Sequence, residues 1–185
     1  MTTLITGETW GDETDSVRAF LLDEANKPFP GLRPSVEAAR RELLAALAGV
    51  TTEQAQFRPL TGEGEDAWGI AEVLRHIASN EAIMAERIRQ LANGLPLALP
   101  ATYPGYMEDV TTRELSELVE AIAQTRQKLL ATVDAVDGQE RLDTFDTHRR
   151  FGAQNCRGWL MIQSLHERDH ARQIEKLKRA PGFPG

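Results

Sequence analysis

Apolar side chains recur every three or four residues in five separate stretches of the chain, the spacing that places them on one face of an α-helix. The first stretch is short. Its apolar residues between Val17 and Ala25 predict a helix of roughly a dozen residues, which the sequence Lys27-Pro-Phe-Pro-Gly31 ends. This N-terminal arm, residues 1–31, must dock its apolar face on the rest of the chain or on a partner subunit, and the sequence leaves both open.

Four longer amphipathic helices follow the arm. In the first of them the polar residues Arg40, Arg41 and Glu42 are expected to lie mostly on the outward side. Asparagine, glycine and proline at 93–96 close the second. The four helices are predicted to begin near Pro34 or Ser35, at Trp68, at Thr111 or Thr112, and by Trp159, and to end near Val50, Ala92, Ala135 and Leu177.

The segments between these helices show no alternating strand pattern. Residues 51–67 and 137–155 are interpreted as loops, the former with one turn of helix near Gln54, and residues 95–110 as a proline-rich connection. The pattern predicts an all-α protein: a four-helix bundle over residues 32–180, preceded by the short helical arm. Connections of roughly fifteen to twenty residues do not require simple up-down-up-down topology.

Candidate chemistry lies on the apolar faces of two of these helices. His166 and His170 are four residues apart, so they lie on one side of the last helix, one turn above the other. His76 occupies the inward face of the helix that begins at Trp68, with Asn80 one turn later. Neutral imidazole is a common ligand for zinc, nickel, copper and iron, so His76 would supply a third ligand. Hydrogen-bonded core histidines are the alternative.

The sequence from His166 to His170 also satisfies the zinc-protease pattern H-E-x-x-H. Its context disfavours that interpretation, because the upstream region gives helical signals and only fifteen residues follow His170. A protease would require Glu167 for activity.

Composition narrows the class of protein. The chain has 185 residues, a net charge of −7 and no basic tract, which counts against a nucleic-acid binder. It contains no run of 18 apolar residues and a single cysteine, Cys156, which excludes an internal disulfide. These features predict a soluble, cytoplasmic protein.

The sequence Trp68-Gly-Ile-Ala-Glu-Val-Leu-Arg-His76-Ile-Ala-Ser-Asn-Glu81 resembles the second-helix signature of the DinB-like (YfiT-like) helical metalloprotein superfamily. The preceding Thr51-Thr-Glu-Gln-Ala-Gln-Phe-Arg-Pro59 is similar to that family's link into the helix, and His166-Glu-Arg-Asp-His170 matches its fourth-helix His-x-x-x-His. The resemblance covers roughly residues 32–178. The arm is an addition that the family does not explain.

The resemblance implies an up-down-down-up bundle, often a homodimer, that holds one divalent metal, zinc or nickel, through His76, His166 and His170. Relatives include transferases and isomerases that use bacillithiol, mycothiol or glutathione. The function expected is therefore a metal-dependent S-transferase acting on a low-molecular-weight thiol and a small electrophile, or a related detoxification enzyme. The alternative is a non-catalytic metal- or small-molecule-binding bundle of a stress response.

Further candidates surround this triad. Asn80, His148 and Arg149 are assigned to a substrate pocket, the last two, with Arg150, in a loop that could hold an anionic group. A solvated basic loop is the favoured interpretation of the loop residues, and Asn80 could equally be a capped polar group between helices. The acidic residues near the histidines could orient the imidazoles, with surface solvation the favoured role, and Cys156 is expected to be a packing thiol. These acidic residues are Glu81, Glu167 and Asp169.

Overall fold

The computed structural model describes residues 14–101 and 107–185. Residues 1–13 of the predicted arm and residues 102–106 of the predicted connection lie outside these ranges. The described chain forms a helical bundle with one short antiparallel hairpin. Its elements are α1 (Thr14–Glu24), α2 (Phe29–Ala46), α3 (Thr52–Gln56), a 3₁₀ turn (Gly64–Ala67), α4 (Ile70–Ala92), α5 (Leu115–Val136), β1 (Asp146–His148), β2 (Gly152–Gln154) and α6 (Cys156–Leu177).

The predicted all-α fold is confirmed, with α2, α4, α5 and α6 as the four bundle helices. Helices α2 and α6 run parallel, because the Nε of Arg168 donates to Glu42 at 3.1 Å and, further along both helices, the Nζ of Lys178 donates to the carbonyl of Ala46 at 3.1 Å. Within the two described ranges, no helix is long and apolar enough to cross a membrane.

Helix α4 runs antiparallel to α6. His76 near the start of α4 meets His166 at the middle of α6, and Arg87 near the end of α4 lies over the ring of Trp159 near the start of α6. Helices α4 and α5 are parallel, since their first halves share one hydrophobic cluster and their second halves share the other. The order is therefore up-down-down-up, and the long crossover between α4 and α5 is the connection that parallel neighbours require.

The bundle core consists of two hydrophobic clusters separated by a layer of charge. The first contains α1, the start of α2 and α6 and the ends of α4 and α5; the second contains the opposite halves. Between them each bundle helix contributes one buried charged residue. This ion-pair layer consists of Arg40 (α2), Glu81 (α4), Arg126 (α5) and Glu167 (α6).

Every member of the ion-pair layer contacts two members of opposite charge. The Nη2 of Arg40 donates to Glu81 at 2.9 Å, and its Nε donates to Glu167 at 2.8 Å. The Nε of Arg126 lies 2.6 Å from Glu81, and its Nη2 donates to Glu167. Thr125 also donates to Glu81, at 2.9 Å. Both carboxylates are fully buried, and the balance of two negative and two positive charges makes their burial tolerable.

Two predictions about the helices are wrong. Arg40 lies inward, in the ion-pair layer. Helix α2 begins at Phe29, before the predicted start at Pro34 or Ser35, because Phe29 and Leu32 are buried in the core while Pro30 lies in the first turn, where a missing N–H leaves no helical bond broken. The other helices start within a few residues of expectation, at Ile70, Leu115 and Cys156.

The loop predicted over 137–155 contains a two-stranded hairpin, which contradicts the prediction of no strand. Its strands pair Asp146 with Gln154 and His148 with Gly152. Each strand has only three residues, too few to show an alternating pattern in the sequence. The predicted turn of helix near Gln54 is present as α3.

Helix α1 docks on its own bundle. Val17 and Leu21 are fully buried in the first hydrophobic cluster, together with Trp159 of α6. The Nε of Arg18 donates to the carbonyl of Phe151 at 3.1 Å, which connects the arm to the turn of the hairpin. The described part of the arm therefore belongs to the core of the same chain.

We expect Arg126→Met to lower the free energy of unfolding by about 3–5 kcal/mol, because it leaves two buried carboxylates facing one guanidinium. Urea unfolding followed by circular dichroism measures the change. Arg33→Met is the matched control: it breaks an exposed pair with Asp134 and should cost less than about 1 kcal/mol. Equal costs for the two variants would contradict the role given to the ion-pair layer.

Candidate metal centre

The start of α4 is set by a close backbone approach that positions His76. Glu72 accepts a hydrogen bond from the N–H of Gly69 at 3.0 Å, which caps the helix. A Cβ at Gly69 would lie 2.3 Å from the carbonyl oxygen of Phe57, so only glycine fits. His76 follows in the second turn of α4 on the side that faces α6.

Helix α6 has its own N-terminal cap. The side-chain oxygen of Asn155 accepts from the N–H groups of Arg157 at 3.1 Å and Gly158 at 3.0 Å. The helix then continues without a break to Leu177, and His166 and His170 project from one side of it toward α4.

The three predicted histidines meet at their Nε2 atoms. The Nε2 of His166 lies 2.9 Å from that of His76 and 3.0 Å from that of His170, and the ligand atoms of all three lie within 4.8 Å of one another. His170 is buried and the other two are partly buried. We call this group the histidine cluster.

The surroundings keep His76 and His166 uncharged. Burial, followed by the positive fields of His170 and Arg75, lowers the pKa of His76 to about 4. Burial, with smaller contributions from His170 and His76, lowers the pKa of His166 well below its ordinary value. Both rings are therefore neutral at pH 7, the form that binds metal.

The histidine cluster fits a divalent metal ion. Nitrogen ligands about 2.0–2.1 Å from a tetrahedral ion lie about 3.4 Å apart, so the two separations from His166, 2.9 and 3.0 Å, are within a few tenths of an ångström of that spacing. The Nε2 of His166 carries either one hydrogen or one lone pair, so it can form a good hydrogen bond with only one of its two neighbouring nitrogens. A metal ion, in contrast, can bind all three nitrogens at once. Three neutral ligands also leave a coordination position open.

Other side chains surround the histidine cluster. The Nδ2 of Asn80 lies 3.3 Å from the Nε2 of His166. This agrees with the prediction that Asn80 lies on the same side of the helix as His76, one turn later. The ring of Trp68 lies 4.9 Å from that of His76. Gln173, which the sequence analysis did not assign to the site, contacts the Nδ1 of His170 at 2.7 Å. Its place three residues after His170 was the available signal.

His148 and Arg149 lie in the hairpin and are not members of the histidine cluster, although His148 is near enough to His166 to help lower its pKa. The ring of His148 stacks on Phe151 at 4.6 Å and meets Trp159 edge-on at 5.5 Å. Its Nδ1 accepts from the N–H groups of Arg150 and Phe151, each at 3.2 Å, so His148 helps to close the turn. Burial, with Arg149 and then Arg87, lowers the pKa of His148. Arg149 is exposed.

The favoured role of the neighbouring acids, surface solvation, is wrong for two of them. Glu81 and Glu167 are fully buried in the ion-pair layer, where arginines occupy their oxygens. Glu167 therefore points away from the histidines that flank it, which removes the general base of a zinc protease. Asp169 is partly buried, and burial raises its pKa. Burial also raises the pKa of Cys156 to about 11, as expected for a packing thiol.

Gln163 is a buried polar residue on the same face of α6 as the histidines. It follows Trp159 by four residues and precedes His166 by three, spacings that align the three along the helix. Its side chain is fully buried, and neither amide atom has a hydrogen-bond partner within the described chain. Such a group costs free energy unless a ligand or water supplies the missing bonds.

Comparisons with known proteins agree with this architecture. A family model described as the DinB superfamily matches residues 35–174. A crystal structure of TT2238, described as a four-helix bundle protein, is similar with a TM-score of 0.58 and 25% identity, covering 80% of this chain and 98% of that one. No curated protein matches the chain.

We expect Gln163→Met to raise the free energy of unfolding by about 1 kcal/mol, because an apolar side chain of similar shape removes an unpaired buried amide. Urea unfolding of metal-free protein measures the difference. Gln90→Met is the control. Gln90 is also buried, but its amide NH₂ donates to the carbonyl of Ala98 and its amide oxygen accepts from the N–H of Ala98. Replacing it with methionine should therefore lower the free energy of unfolding. Destabilisation by Gln163→Met would mean that the amide has a partner in solution.

Proposed function

The chain belongs to the DinB superfamily, and we propose that it is a metal-dependent S-transferase, which joins the intact thiolate of a low-molecular-weight thiol to a small electrophile, or a related detoxification enzyme. The observation that carries the proposal is the convergence of three Nε2 atoms between α4 and α6. The family resemblance supplies the reaction class. A homodimer, expected from the same resemblance, is part of this proposal.

The proposed metal ligands are His76, His166 and His170. Zinc and nickel are among the metals that imidazole nitrogen suits. When bound at such a site, the ion supplies a Lewis acid that favours the deprotonated form of a thiol. The protein contributes the low pKa of His76 and His166, which keeps protons from competing for the ring nitrogens.

The proposed substrate side of the site extends from the histidine cluster toward the hairpin. Asn80 of α4 lies against His166 of α6. The unpaired amide of Gln163 lies on the same face of α6 as His166, about one turn nearer the start of that helix. Asn80, which is partly buried, offers a hydrogen bond to a polar substrate group, whereas Gln163 is fully buried. His148 and Arg149 complete the proposed pocket at the hairpin end, with Arg149 exposed and able to meet an anionic group.

Metal content tests the first half of the proposal. Purified wild-type protein should carry about one zinc or nickel ion per chain, and both His76→Ala and His170→Ala should lose it. His148→Ala is the matched control, because it removes a histidine that lies outside the cluster, and it should keep the ion. Elemental analysis gives the ratio. Wild-type protein that neither contains nor takes up Zn²⁺ or Ni²⁺ would overturn the metal site.

Activity tests the second half. Bacillithiol, mycothiol and glutathione, each offered with standard electrophiles such as chlorodinitrobenzene, should give a conjugate whose formation stops on chelation and returns with added metal. Asn80→Ala should raise KM for the thiol with metal content unchanged. A metal-loaded protein that conjugates none of these thiols, and whose cobalt-substituted spectrum does not respond to them, would instead be the non-catalytic binding bundle.

A further inference from the structure

Gln173 connects the histidine cluster to the turn that precedes α4. Its Oε1 lies 2.7 Å from the Nδ1 of His170, and its Nε2 donates to the backbone carbonyl of Glu65 at 2.6 Å. Glu65 belongs to the 3₁₀ turn Gly64–Ala67. One carboxamide thus contacts a proposed metal ligand on one side and an exposed turn on the other.

The carbonyl of Glu65 fixes the direction of the hydrogen bonds that link Glu65, Gln173 and His170. A backbone carbonyl only accepts, so the amide NH₂ of Gln173 must face Glu65, and its oxygen must then face His170. That oxygen only accepts, so the Nδ1 of His170 must carry the proton. In the neutral ring the Nε2 then presents its lone pair, and it is this atom that lies 3.0 Å from His166.

Two further contacts hold the turn near the histidine cluster. Trp68, directly after the turn, places its ring 4.9 Å from the ring of His76. Lys176, three residues after Gln173, pairs at 3.7 Å with the carboxylate of Asp66 on the outside of the turn. The turn therefore covers one edge of the site, and Gln173 is its attachment next to a ligand.

We propose that Gln173 is a positioning residue that holds His170 in its metal-binding tautomer and fastens the turn Gly64–Ala67 over the histidine cluster. The metal part of this inference rests on the proposed function; the tautomer and the attachment do not. An ion on the Nε2 would withdraw electrons from the ring and make its Nδ1–H a stronger donor to Gln173. Metal binding and order in the turn must then strengthen each other.

The experiment compares wild type with Gln173→Leu, Gln173→Glu and, as control, Lys176→Met. The control removes the outer contact to the turn without touching His170. Long-range ¹H–¹⁵N spectra of metal-free protein report the His170 tautomer, hydrogen exchange at residues 64–68 reports the turn, and competition with a chelator reports the affinity for Zn²⁺.

Wild type and Lys176→Met should show the proton on Nδ1. Gln173→Leu should lose that preference, exchange faster in the turn and bind Zn²⁺ about 10- to 100-fold more weakly. Gln173→Glu keeps an acceptor for His170 but loses the donor to Glu65, so it should keep the tautomer and still loosen the turn. Proton on Nε2 in wild type, or Gln173→Leu identical to wild type in tautomer and exchange, would overturn the proposal.

Two failures remain distinguishable. If wild type takes up no Zn²⁺, the proposed metal function fails, while the tautomer and exchange data still decide whether Gln173 positions His170 and the turn. If wild type binds Zn²⁺ and Gln173→Leu binds it with equal affinity, the metal site stands and the role of Gln173 in it is wrong.

Discussion

The fold depends on one constraint, that four charges buried at mid-height of the bundle must all find partners. Each of the four bundle helices contributes one member of the ion-pair layer, and each member contacts two of opposite sign. A shift of any helix by one turn would leave a charge unpaired in an apolar interior, at a cost of several kcal/mol. Apolar residues of equal volume in place of these four charged residues could stabilise the bundle as well, but they would allow the helices to slide along one another. The layer therefore sets helix register more than it adds stability.

Register is also what the histidine cluster needs. Glu81 follows Asn80, and Glu167 lies between the two histidines of α6, so the ion-pair layer and the cluster share two helices at nearly the same height. Successive residues on a helix point about 100° apart. Glu167 can therefore enter the core while His166 faces α4. The proposed chemistry and the fold use adjacent residues on different sides of one helix.

The position of a polar residue relative to the apolar stripe of its helix explains why the sequence indicated the histidine cluster but not the ion-pair layer. Histidines at helical spacing on an apolar stripe stand out because such a stripe otherwise lacks polar atoms. Arg40, Glu81 and Glu167 border their stripes, where charged residues are usually solvated, and only the opposing helices show that each has a partner. Helix periodicity likewise located the four bundle helices, whereas the start of α2 depended on the burial of Phe29 and Leu32.

Parallel packing of α2 against α6 has a consequence for synthesis of the chain. Arg40 precedes Glu81 by 41 residues and Glu167 by 127. At about 5–20 residues per second, translation separates Arg40 from Glu167 by about 6 to 25 s. Helix α5 is complete only for the last 31 residues of that interval, from Val136 to Glu167, which take about 2 to 6 s. In that time α2, α4 and α5 can associate, yet three charges of the layer lack the fourth and the apolar face of α2 lacks α6. The nascent protein must therefore pass through a three-helix stage with an open seam, a surface on which chaperones would act.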